Sequence, residues 1–274
     1  MIARRRLSAA FAAGLAGWLA TPAFAQRVRS LKDPLRLAVD VALMDSGLAR
    51  ALQHAFGRDT GVAVLLTGGA SLPLLDALER GEFDAALTNA PEAELKLDKQ
   101  GLVHDRQAVA AGMFVIVGPT PKKKVPDPAG IAGSKDVADA LVRIRDAALA
   151  APDTVRFLSA NDGSGLHAAE QALWRVAQVG PAAPWYAAAT PPARLIEQAR
   201  ATGAYALVER GAWAMRGGTP LAVLVEGDER LAAPVHVMRS FRVSHPAAKI
   251  FVAWITGPKG RRVVASQRGY RVPA

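Results

Sequence analysis

The 274-residue chain contains no cysteine. Disulfide staples and thiolate metal sites are therefore excluded, and the fold must be held by its own core. Aromatic residues are scarce, at 6%, and none is interleaved with the single basic run Lys122-Lys123-Lys124. That run sits between Pro121 and Pro126 and reads as a solvated loop, without the stacking platforms that nucleic-acid binding needs. His54, His104, His236 and His245 are far apart, and no pair of them has metal-ligand spacing. Neither Walker nor dinucleotide glycine spacing occurs, which excludes a nucleotide loop. Beyond the first 25 residues no apolar run is long enough to cross a bilayer. No cofactor is expected.

What is present starts with an export signal. Arg4, Arg5 and Arg6 form a positive head, Leu7 to Ala20 a short apolar stretch, and Ala23-Phe24-Ala25 an A-x-A ending before Gln26. Residues 1–25 are predicted to be removed, leaving a mature chain in the periplasm. Composition is that of a globular protein, 51% hydrophobic with 24 Gly and 18 Pro. The formal charge of +10 stays positive after the three signal arginines are lost. It fits attraction of anionic solutes or surfaces, or equally a generally basic proteome.

Along the mature chain, apolar strands alternate with helices of about ten residues, the pattern of parallel-rich sheets covered on both faces. Strands are expected at Leu35–Leu43, Val62–Leu66, Phe83–Asn89, Gly112–Pro119, Val155–Ser159, Ala204–Val208 and Leu221–Val225. Helices are expected at Gly47–Phe56, Ser71–Arg80, Lys135–Ala150, Ser164–Gln178, Pro191–Thr202, Pro246–Ile255 and Pro258–Ser266. Val235–Phe241 is expected to return to the first half. The prediction is an α/β fold of two lobes, 26–117 with 235–274 and 118–234, joined by a two-crossover hinge.

Two strand-to-helix junctions carry the candidate site, because helix starts aim unpaired backbone N–H groups at whatever lies before them. One is Met44-Asp45-Ser46-Gly47-Leu48, the other Ser159 to His167. Ser46 and Ser164 read as caps that can also contact a ligand, and Gly47 and Gly165 allow close approach. Thr67-Gly68-Gly69-Ala70-Ser71 reads as a turn or an anion nest. His167 can donate to a ligand, to Asp162 or to Glu170. Arg210 is either the cationic contact or a surface ion pair. Tyr205, Trp213, Trp185 and Tyr186 line a cleft or, more simply, pack a core. Ser164, Asp162 and His167 crowd around one helix start, so they do not form a triad, and the G-x-S-x-G elbow is absent. The chain is predicted not to be an enzyme.

In order and spacing, Met44–Leu48, Thr67-Gly68, Phe114–Pro119, Asp127–Ile131, Asp162 with Ser164-Gly165 and His167, Gly203-Ala204-Tyr205, Leu224–Asp228 and Phe251–Gly260 resemble the periplasmic tungstate-binding proteins of ABC importers. These form part of the two-lobed extracytoplasmic binding-protein superfamily. The resemblance implies a monomeric receptor that captures a solute by hinge closure and presents it to an ABC permease. Departures fall on the ligand groups. The family's threonine and serine run is Val39-Asp40-Val41-Ala42-Leu43 here, its second-lobe arginine falls at Ala160, and a threonine falls at Leu166. The strand after Tyr205 reads Ala206-Leu207-Val208.

A hard divalent oxyanion needs a full donor set, and Asp40 repels it if its side chain enters the cleft. The expected ligand site is Asp40, Ser46, Gly47, Thr67, Gly68, Ser71, Ser164, Gly165, His167 and Arg210. The expected ligand is a less charged or organic solute. Two alternatives stand beside it: a degenerate sensory or protein-docking module without small ligand, and a tungstate-type oxyanion receptor.

Overall fold

The computed structural model describes residues 27–273, so the expected signal segment lies outside the described residues. After β1 (Arg27–Val28) come β2 (Leu35–Asp40), α1 (Val41–Asp45), α2 (Leu48–Thr60), β3 (Val64–Gly69), α3 (Ser71–Glu79), β4 (Ala85–Thr88) and α4 (Pro91–Lys99). The long strand β5 (Val103–Pro119) leads to α5 (Val137–Ala150), β6 (Phe157–Ser159), α6 (Gly165–Val176) and β7 (Tyr186–Ala188). Then follow α7 (Leu195–Thr202), β8 (Tyr205–Glu209), α8 (Arg210–Arg216) and β9 (Leu221–Val225). The return runs through β10 (Ala232–Ser240), β11 (Val243–Ser244), α9 (Pro246–Thr256) and α10 (Pro258–Ser266).

The strands stand in the order β3-β2-β4-β10-β5-β8-β6-β7, with β9 also on β5. β2 is parallel to β3 and β4, and β6 to β7 and β8, while β10 and β5 are antiparallel to their neighbours. One strand serves both lobes. Up to Met113, β5 pairs with β10; from Phe114 it pairs with β8, and from Ile116 also with β9. The chain thus passes between two α/β lobes twice, inside β5 and at the start of β10.

Local chemistry explains the helix starts. Asp136 caps α5 by accepting from the N–H groups of Ala138 and Asp139, and α4, α9 and α10 open with proline, whose missing donor costs nothing there. Each lobe has its own core. The first stacks Phe56 edge-on against Phe251, ring centroids 5.1 Å apart, and the second sets Phe157 against Trp174 at the same spacing. Trp185 and Tyr205 are buried in the second core, where the Tyr205 hydroxyl donates to Asp127 at 2.7 Å.

The structure corrects three boundaries. The strand expected through Leu43 stops at Asp40, whose side chain caps α1; a capping carboxylate outweighs an apolar run that suits helix as well as strand. Thr67, Gly68 and Gly69 continue β3, paired with Ala38, Val39 and Asp40, and do not form a nest. β5 begins at Val103, well before Gly112, because β10 supplies partners to a stretch with little strand patterning of its own.

Candidate ligand cleft

The end of β2 meets the start of α6, the helix after β6, across the two lobes, the usual position of a ligand crevice in such sheets. Asp40 lies there, fully buried. Its Oδ1 accepts from the Ala42 N–H at 2.9 Å, and its Oδ2 accepts from the Ser71 hydroxyl at 2.6 Å. The Gly165 N–H, at the start of α6 in the opposite lobe, donates to the same Oδ2 at 3.2 Å. One carboxylate therefore gathers donors from the starts of α1, α3 and α6. Helix starts of this kind attract anions, and the anion they hold here is part of the chain. Burial pushes the Asp40 carboxyl above the ordinary aspartate value, and its three donors pull it partly back.

A second buried acid stands close by. Glu209 caps α8 by accepting from the Ala212 N–H at 2.8 Å. Burial pushes its carboxyl up to about 7; the Ala212 and Gly211 N–H groups and the Tyr270 hydroxyl oppose the rise, and the Asp40 charge adds to it. The Tyr270 hydroxyl donates its one proton to Ser46 at 2.7 Å. Beside Glu209, and bounded by Val41 and Ala42 of α1, lies a cavity of about 50 Å³. Ala160, Leu166 and Val208, where the resemblance places an arginine and hydroxyls, line it with carbon. Its cation is Arg216, which reaches across the lobes to Asp45 at 2.7 Å. Burial raises the Asp45 carboxyl, with Arg216 acting against the rise. A third bridge between the lobes runs from the Leu72 N–H to the Gly163 carbonyl, at 3.0 Å.

Not all of the expected residues meet here. Asp40, Ser71 and Gly165 form the carboxylate cluster, and Ser164, which caps α6 by accepting from the His167 N–H, lines the cavity. Ser46 closes α1 and does not open α2; Gly47 holds that N-cap position with a left-handed φ of 81°. Thr67 and Gly68 lie exposed on the edge strand. His167 Nδ1 accepts from the Gly163 N–H, a contact that serves its own loop. Arg210 pairs with Glu226 at 3.3 Å, the surface alternative.

Sequence reasoning missed Glu209, Arg216, Asp45 and Tyr270. The acid-arginine pairs carried no spacing signal, but Glu209 followed by Gly211-Ala212 after an apolar strand has the form of a cap and could have been read as one. Among the described residues no group of three or more His, Cys, Asp or Glu could hold a metal ion.

Residues 18–271 match the family of bacterial extracellular solute-binding proteins. The chain belongs to that family. The tungstate-binding protein TupA of Peptoclostridium acidaminophilum is 26% identical over 245 residues, covering 85% of this chain and 81% of that protein. Among solved structures, the tungstate ABC transporter of Geobacter sulfurreducens superposes with a TM-score of 0.70 at 30% identity, over 85% of this chain and 98% of that one. TupA of Desulfovibrio alaskensis G20 gives 0.69 at 28%, over 88% and 100%. The chain is thus a non-catalytic, extracytoplasmic solute-binding component of an ABC importer, of the tungstate-receptor type.

Proposed function

We propose that this chain captures a small organic solute of low net charge by hinge closure and delivers it to a cognate permease, working as a monomer in the periplasm after loss of residues 1–25. The carrying observation is the Asp40 carboxylate at the meeting of three helix starts. An oxyanion there either displaces that carboxylate or sits beside it. At an effective dielectric of 20, a unit charge about 4 Å away is repelled by about 4 kcal/mol, and a dianion by about twice that. A single hydrogen bond to a charged group returns only about 1.5–3 kcal/mol. Ala160, Leu166 and Val208 offer no further donors, and Arg216, the cation of the same cavity, is already paired with Asp45. Repulsion wins.

Thermal unfolding of the mature protein with tungstate, molybdate and a panel of neutral and zwitterionic organic solutes tests the reading, since any ligand of the native state raises the transition. A saturable shift from an organic solute, with none from the oxyanions, is expected; a saturable tungstate shift overturns it. A second reading, a sensory or docking module without small ligand, is favoured by the three bridges between the lobes, Asp40 to Gly165, Arg216 to Asp45 and Leu72 to Gly163, all made by the chain's own groups. It predicts no shift with any solute.

A further inference from the structure

A larger chamber, about 510 Å³, lies between α4 of the first lobe and α6 of the second, with Gly165 at its edge. Its size is that of an organic-ligand pocket, whereas the cavity beside Glu209 holds only a few water-sized groups. One wall is a run of small side chains on α6, including Ala168 and Ala172, and Leu72 and Phe114 close the space. Asn89, at the inner end, is 1% exposed, and neither its Nδ2 nor its Oδ1 has a hydrogen-bond partner within the protein. A buried amide with both a donor and an acceptor unpaired matches another amide, which presents the complementary pair.

The rim carries the two remaining signs. Glu92 stands in the first turn of α4 and Arg175 in the last turn of α6; both are exposed and line the chamber, and neither is engaged in an ion pair with a described residue. Arg230, also on the wall, is already held by Asp228 and Asp136. An acid, a buried amide and a base around one chamber match an ammonium, a peptide group and a carboxylate.

We infer that this chamber binds a short peptide with free termini: its ammonium at Glu92, a backbone amide at Asn89, its carboxylate at Arg175, and small apolar side chains against the α6 alanines. The spacing is suitable. Gly165 and Arg175 are roughly 15 Å apart along the helix. Three extended residues cover about 10 Å, and an arginine side chain leaning toward the helix start spans the remainder. Gly165 presses against Asn89 in the present arrangement, so the peptide engages the amide once the lobes part, and it then stands between Asn89 and the α6 start with the lobes held wider there. The assignment takes its biological sense from the receptor reading, and parting the lobes at Gly165 also releases that residue's N–H from Asp40.

Calorimetric titration of the mature protein with trialanine and with leucyl-alanyl-alanine tests it. Saturable binding below about 1 mM is expected for at least one of the two. Arg175→Glu and Glu92→Lys, both surface changes that leave folding intact, should each weaken it about tenfold, and N-acetyl-trialanine amide, with both end charges removed, about a hundredfold. Ala169→Trp, which fills the chamber, should abolish it. No binding of either peptide, or binding indifferent to both rim reversals and to Ala169→Trp, overturns the assignment. If the peptides fail while another organic solute shifts unfolding and tungstate does not, the peptide site falls and the receptor reading stands.

Discussion

On one side of Gly165 a buried carboxylate collects three hydrogen bonds; on the other a buried amide collects none. The same residue serves both, its N–H donating to Asp40 and its α-carbon pressed against Asn89. The difference shows how recognition can move within a fixed scaffold. Donors at the helix starts are engaged by Asp40 internally, so they have little left to offer an incoming anion. Groups that remain unpaired, Asn89 with the charged rim around it, are the ones a ligand can still satisfy. Leaving the Asn89 amide unpaired costs about 1–3 kcal/mol, whereas both oxygens of Asp40 are satisfied by groups of the chain.

The most severe perturbation acts on Glu209, which stands near Asp40 but has one oxygen, Oε1, buried without a hydrogen-bond partner. Glu209 keeps its proton up to about pH 7 in the fold, while an ordinary glutamate releases it near 4.5. The native state binds the extra proton across that window, so stability falls as pH rises from 4.5 to 7. The change is roughly 3 kcal/mol, because each tenfold gain in proton affinity is worth about 1.4 kcal/mol. Glu170, also pushed up to about 7 by burial, acts in the same direction in the second lobe. Denaturant titrations across this range should show the decline, and Glu209→Gln should remove about half of it; an unchanged slope would detach Glu209 from the cluster.

Next comes the shared residue. In Gly165→Ala the added Cβ collides with the Asn89 side chain and backbone oxygen, which forces the lobes apart and should cost about 1–3 kcal/mol by overpacking. Small-angle scattering should report a larger radius of gyration, and an unaltered radius would contradict the close approach. On the unsatisfied side, Asn89→Leu should stabilise the protein by about 1 kcal/mol, since it removes a buried unpaired amide at similar volume. Loss of stability in that variant would show that the amide has a partner. The smallest effect belongs to Arg216→Ala. Its guanidinium is more than a third exposed, so solvent screening leaves the bridge to Asp45 about 0–1 kcal/mol in equilibrium unfolding.

The two regions also differed in how far the sequence could foretell them. The α/β plan followed from apolar periodicity, and strand Leu221–Val225 and helix Pro258–Ser266 have the expected ends. Gly165 and Ser164 were readable because a cap and a glycine leave local signals. Asp40 was readable as an acid in an unusual place, but its role depends on donors from Ser71 and from the opposite lobe, which no local pattern encodes. Tyr270 meets Ser46 from near the other end of the chain, a pairing set by tertiary packing. Asn89 carries no signal at all, since an Asn at a strand end is ordinary turn chemistry until burial deprives it of partners. The first half of β5 was unreadable because its Val103–Ala111 stretch mixes exposed polar residues with buried ones and is fixed as a strand by β10.

The most direct test is a calorimetric titration of sodium tungstate into the wild-type mature protein and into Asp40→Ser, with folding of both verified by circular dichroism. The account predicts no saturable heat in the wild type and measurable binding in Asp40→Ser, where the Ala42, Ser71 and Gly165 donors become available. Tight tungstate capture by the wild type, undiminished relative to the variant, would contradict it.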